Sequence, residues 1–228
     1  TGAMAPLSVP GSDATTNLLD AIRVCRAANA AAFGPLVVMN RRVVCAVCVR
    51  KVHRTSPGAI VGWPSAAGEV DAGGVVWFGP PPPCPAPFAR IALARNVPLL
   101  KVALGVGAEV AEALLATGPE GLVVEGFPGG GGLPDEVAAA LEPHLGSLPI
   151  VLSSRAPEGR LVRAAGGRSG GGALLARGFI GAGFLMTEKA RLLLMAALGA
   201  APAGASRVEA VRTAFEQRAT SWMEGAAS

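Results

Sequence analysis

The chain has 228 residues, 51% of them apolar and 16% charged, which is enough to bury one large or two small cores and excludes an intrinsically disordered protein. Its net charge is +4, but the basic residues are scattered from Arg23 to Arg218, and with no Tyr and 4% aromatics no stacking face for nucleic acid is expected. No stretch reaches the ~20 apolar residues of a membrane helix; Leu192 to Ser206, the longest candidate, is interrupted by Gly199, Pro202 and Gly204.

In chain order, Thr1-Gly2-Ala3-Met4 leads into a Pro/Gly/Ser loop through Ser12. Asp13 or Thr15 is a plausible N-cap for a helix to about Ala31, with Leu18, Leu19, Ile22 and Cys25 on its apolar side. Leu36 to Met39 reads as a buried strand and Val43 to Val49 as another. Short strand Val75 to Phe78 precedes the proline tract Gly79 to Pro87, which locks the backbone, supplies no amide donors and marks a domain boundary. Beyond it strands and helices alternate: strand 99–104, helix 108–117, strand 122–125, helix 135–145, strand 150–153. That alternation implies a parallel sheet covered by helices. Gly159 to Gly172 is a glycine-rich loop, followed by helices from about Thr187 and Arg207, the first expected to bury Leu192, Leu193, Met195 and Ala196.

The run from Val43 ends in a cluster of donors, with Lys51 where burial stops. A lysine at a buried strand end can be desolvated into a proton acceptor; on an open surface it stays a solvated point charge. Cys45-Ala46-Val47-Cys48 is a lone CxxC that a continuous strand would split onto opposite faces, and we read its cysteines as core hydrophobes, not as a metal site. Four cysteines, Cys25 and Cys84 included, form no dense disulfide framework, so a reducing, cytoplasmic setting is expected. Gly105-Val106-Gly107 opens a helix with Glu125 at the end of the next strand, a partial dinucleotide fingerprint. Val110 stands where the fingerprint wants Gly or Ala. Gly126 to Gly132 lacks the Lys-Ser/Thr of a phosphate loop and reads as a permissive strand-to-helix turn. Neither His53 nor His144 has neighbours in sequence that make a catalytic or metal set.

Gly2-Ala3-Met4, Pro6, Asp13, Asn17-Leu18, Ala21, Val37-Val38-Met39-Asn40, Lys51 and Thr55 resemble, in order and spacing, the bacterial-type L-asparaginase family. Lys101-Val102, Ser153-Ser154-Arg155 with Pro157 and Gly159, Gly178-Phe179 and Lys189-Ala190-Arg191 continue the resemblance. It implies an α/β fold: a partial N-terminal parallel-sheet domain joined to a smaller C-terminal parallel α/β domain. Residues 1–78 would be the remainder of the N-terminal domain, 79–97 a proline-rich linker and 98–228 the C-terminal domain. It further implies hydrolysis of L-asparagine to L-aspartate and ammonia without cofactor or metal, in a homodimer or homotetramer, with no nucleic-acid or membrane partner. By the same resemblance Lys51 helps activate a threonine hydroxyl, and Gly2, Ala3 and Met4 line the substrate pocket. The family's two threonine motifs are absent from these residues, so we expect an N-terminally truncated fragment, inactive alone. Ala5, Ser56-Pro57-Gly58-Ala59-Ile60, Gly129 to Gly132 and Leu161 to Gly172 depart from the family pattern, which keeps open a degenerate, non-catalytic binder; a dinucleotide-binding protein is the other alternative.

Overall fold

The computed structural model describes residues 1–83, 85–89, 92–161, 167–202 and 206–220. Cys84, part of the 79–97 linker and part of the Leu161 to Gly172 stretch lie outside them. The chain divides into two compact units, Thr1–Cys84 and Pro85–Ser228.

In the first unit, α1 spans Ala14–Arg26. It contains no Gly or Pro, and Arg23 and Arg26 in its last turn complement the negative end of the helix dipole. The expectation that Leu18, Leu19 and Ile22 face the core is corrected: all three are about half exposed, and Asn17, Asp20 and Val24 are buried. The phase is set by packing. Val24 joins Val38, Val43 and Val70 in one core, with Ala21 against it, and Asn17 shares that inward stripe because its polar atoms are bonded there, which removes most of the penalty of burial.

β1 (Leu36–Met39) and β2 (Arg42–Cys45) form an antiparallel hairpin in register Met39 with Arg42. Its two turn residues, Asn40 and Arg41, have φ of 48° and 61°, the left-handed pair that a tight hairpin requires. β3 (Val49–Lys51) pairs antiparallel with β4 (Ile60–Gly62). β5 (Gly68–Val70) and β6 (Val75–Trp77) complete a four-stranded sheet of order β1-β2-β5-β6. Two expectations change here. The described strands of this unit all pair antiparallel, not parallel, since turns as short as Asn40-Arg41 can join only antiparallel neighbours while a parallel crossover needs a dozen residues or more. The Val43 to Val49 run is not one strand either: it breaks at a turn over 46–48, closed by the Cys48 amide donating to the Cys45 carbonyl at 2.8 Å.

The second unit is the α/β layer structure expected, and in this chain it is the longer of the two, not the smaller. β7 (Leu99–Lys101), α2 (Ala108–Ala116), β8 (Leu122–Gly126), α3 (Asp135–Leu141), β9 (Ile150–Ser154), α4 (Gly171–Arg177), β10 (Ile180–Gly181), α5 (Thr187–Ala200) and α6 (Arg207–Phe215) follow in order. The sheet runs β10-β9-β8-β7, every pair parallel. Strands buried on both faces must be apolar throughout, and Leu122, Val123, Val124, Ile150, Val151 and Leu152 are each at most 1% exposed. The inward stripe of α5 is Ala190, Leu194, Ala197 and Leu198, with Leu192 outward, two residues out of phase with the expected set and so on nearly the opposite face; the spacing i, i+4, i+7, i+8 follows the helical repeat from Ala190. Glycine is required at Gly171, where a Cβ would stand 1.7 Å from the Gly130 carbonyl oxygen. The glycine-rich turn after β8 is therefore packed against the start of α4.

Candidate active site

One end of the first unit gathers three segments around Asn17. Its side-chain amide donates to the Gly2 carbonyl at 2.9 Å and to Asp13 Oδ2 at 2.8 Å, and its Oδ1 accepts the Asn40 backbone N–H at 2.8 Å. Asp13 in turn accepts the Met4 amide at 2.9 and 3.0 Å and the Ala5 amide at 3.0 Å. Asp13 stands at the N-cap of α1 yet caps nothing with its side chain; its carboxylate is spent on the loop. Those amide donors, Ala5 first and then Met4, hold its carboxyl below the usual carboxylate value. The Gly2-Ala3-Met4 segment is thus fixed at both ends, by a carbonyl held at Gly2 and an amide held at Met4. Thr1 Oγ1 adds a bond to the Val38 carbonyl at 2.5 Å.

The β3-β4 hairpin carries Lys51. Lys51 pairs with Ile60 at the end of the ladder, and Val52 donates to the Ala59 carbonyl at 2.8 Å. The tip between them is shaped by polar side chains: His53 Nδ1 accepts the amides of Thr55 at 3.1 Å and Ser56 at 2.9 Å, and Ser56 Oγ accepts that of Gly58. His53 is accordingly a turn-former. A Cβ on Gly58 would lie 3.6 Å from Asn40 Nδ2, so the tip that follows Lys51 abuts the Asn40 turn to which Asn17 ties the Gly2 segment. The Lys51 side chain itself is exposed, and among the described residues it makes no salt bridge. These residues place its side chain in solvent at a strand end. Arg50, one residue earlier, is buried with its guanidinium 4.7 Å from the Trp63 ring centroid, which anchors the strand from the opposite side.

Sequence reasoning gave no role to Asn17 or Asn40. A signal existed: Asn is a poor helix-interior residue, and Asn17 lies four residues after Asp13, on the same face of the helix.

In the second unit Glu125 is committed to local partners. Its carboxylate accepts the Thr187 hydroxyl at 2.7 Å and faces Lys101 at 3.4 Å, while Ser153 and Thr187 share a hydroxyl contact at 3.0 Å. At the start of α2, a Cβ on Gly107 would sit 2.3 Å from Glu109 Oε2, so an exposed carboxylate lies beside the helix N-terminus. Among the described residues no group of three or more His, Cys, Asp and Glu side chains could hold a metal ion.

A first unit built around a pinned N-terminal loop and a second that is a parallel sheet covered by helices define a two-unit α/β protein. The asparaginase N-terminal domain matches residues 1–82, and the glutaminase/asparaginase C-terminal domain matches residues 96–215. The chain belongs to the asparaginase family. It is 35% identical over 221 residues to a probable L-asparaginase of Deinococcus radiodurans, covering 95% of this chain and 66% of that relative. The chain thus spans just under two thirds of the relative's length.

Proposed function

We propose that these residues form part of an asparaginase-type amidohydrolase site that converts L-asparagine and water to L-aspartate and ammonia. The observation that carries the reading is the Asn17 junction, which fixes Gly2-Ala3-Met4 against the Asn40 turn and so against the hairpin tip following Lys51. In this reading the Gly2 to Met4 backbone is a wall of the substrate pocket. Lys51 takes part in withdrawing the proton from a threonine hydroxyl, which is a weak nucleophile until a neighbouring group accepts that proton. The attack on the side-chain amide carbon expels ammonia, and water then releases aspartate from the acyl-enzyme. The threonine is supplied from outside these residues, and a homodimeric or homotetrameric, cytoplasmic enzyme is the assembly we propose.

Ammonia release from L-asparagine tests the reading directly. The 228-residue chain alone is expected to show none above background, and appreciable turnover overturns the claim that the nucleophile lies elsewhere. In the full-length product of the gene, Lys51→Met is expected to lower kcat by about 10³-fold or more, in line with loss of one member of a nucleophile-activating set. Full activity in that variant removes Lys51 from the mechanism.

The exposure of Lys51 favours a second reading, a family member that binds a small ligand or partner without catalysis. It predicts that the full-length product releases no ammonia from asparagine or glutamine yet gains thermal stability on adding either amino acid.

A further inference from the structure

We propose that Cys45 and Cys48 form a reversible dithiol/disulfide site in the turn joining β2 to β3. As one continuous strand the CxxC would hold its sulfurs on opposite faces. The turn reverses that geometry. With the Cys48 amide donating to the Cys45 carbonyl at 2.8 Å, the pair occupies the first and last positions of a β-turn, whose Cα atoms lie within about 7 Å; a disulfide spans about 4.4–6.8 Å between the same atoms. Both side chains turn into the protein, each 7% exposed. The backbone around them is pinned as well: Ala46 donates to the Pro35 carbonyl at 2.9 Å, and the Cys48 carbonyl accepts the Trp63 amide at 3.2 Å.

This arrangement assigns the two cysteines different tasks. The neighbouring Cys48 side chain, as a hydrogen-bond partner, holds the Cys45 thiol below its usual pKa of 9.0, which favours Cys45 as the thiolate that reacts first. Near-complete burial admits only a small oxidant, and a hydroperoxide is the class that fits. The Cys45 thiolate attacks one peroxide oxygen, breaking the O–O bond, forming a sulfenic acid and expelling hydroxide, or alkoxide from an organic hydroperoxide. The Cys48 thiolate then attacks the sulfenic sulfur, the S–S bond forms and a second hydroxide leaves. Sulfur is oxidised by two electrons in all and the peroxide is reduced by two. A small dithiol reverses the process by exchange. Since β3 starts directly after Cys48, the bridge ties the base of the Lys51 hairpin to the end of β2. The inference does not depend on the amidohydrolase reading, because its readout is mass.

Trypsin cleavage after Arg42 and Arg50 isolates residues 43–50, a peptide with both cysteines and no other. The native chain is treated with stoichiometric hydrogen peroxide, then unfolded and blocked with N-ethylmaleimide. The expected product is peptide 43–50 lighter by two hydrogens and unblocked, becoming doubly blocked only after dithiothreitol. In Cys48→Ser, dimedone is expected to label Cys45. A peptide doubly blocked before reduction, a bridge to Cys25 instead, or no dimedone adduct at Cys45 overturns the proposal.

Discussion

In the second unit, the buried stretches Leu122–Val124 of β8 and Ile150–Leu152 of β9 are apolar and are held by packing from both faces, whereas in the first unit the decisive inward residue of α1 is Asn17, held by three hydrogen bonds. The second unit can lose one hydrogen bond without losing its order, because dispersion and hydrophobic burial are spread over a continuous cluster from Leu100 to Phe179. The first unit concentrates its specificity in a few directed contacts, and its exposed Leu18, Leu19 and Ile22 contribute little burial. Removing a large apolar side chain should therefore hurt the second unit most, and removing one amide should hurt the first.

The largest expected effect is that of Phe179→Ala. Phe179 is 1% exposed within the cluster that contains Leu152 and Leu174, and deleting a buried Phe costs about 3–5 kcal/mol. Hydrogen exchange resolved by segment should show lost protection over 122–126 and 150–154, with 36–45 unchanged. Equal loss in both segments would mean that the two units do not respond separately.

Asn17→Ala is the counterpart in the first unit. It strips the Gly2 carbonyl of its donor and the Asn40 amide of its acceptor, a loss of about 0.5–1.5 kcal/mol per hydrogen bond, since both groups can turn to water. Exchange should rise at Asn40, Met4 and Ala5 and stay constant in the parallel sheet. Asn17→Asp should not rescue: it keeps an acceptor for Asn40 but sets a second carboxylate 2.8 Å-range from Asp13, where the present bond is a donor at 2.8 Å.

The same contrast explains what was legible before the structure. Strands such as Leu122 to Glu125 and Ile150 to Ser153 announce themselves, since a strand buried on both faces has to be apolar and helices of ordinary length separate them. The family resemblance and the α/β class were likewise readable. The antiparallel first unit was not. Its hairpin turns on Asn40-Arg41, without the Asn-Gly pair that usually signals such a turn, and the break at Ala46-Val47 is made of residues that favour strands and helices elsewhere. At the site, Lys51 could be singled out as the last residue of a buried run, but its exposure depends on the hairpin tip. Asn17 was hidden because hydrophobic periodicity weighs apolar residues, and Leu18, Leu19 and Ile22 outvoted it.

The smallest expected effect probes the polar edge of the second unit. Lys101 Nζ lies 2.8 Å from Glu188 Oε1 and 3.4 Å from Glu125 Oε2, with the Lys101 and Glu188 side chains 53% and 61% exposed. The Glu188 hydrogen bond, ahead of burial, raises the Lys101 pKa above 10.5, and the Lys101 bond lowers that of Glu188 below 4.5. A depressed carboxyl stabilises the fold above its unfolded pKa and loses that contribution as pH falls through the folded value; a raised amine does so below its unfolded pKa and loses it as pH rises through the folded one. The pair is thus fully effective across neutral pH and weakened below about 4.5 and above about 10.5. Solvent screening at these exposures limits it to about 0.2–1 kcal/mol. Glu188→Gln should therefore lower the stability of the second unit by no more than that at pH 7 in low salt. The difference from the unaltered chain should shrink at pH 3 and again in 1 M salt, where the Debye length is about 3 Å. Glu125 remains beside Lys101 in the variant, so Lys101→Met should cost more than Glu188→Gln; an equal cost would mean that the 3.4 Å contact contributes nothing.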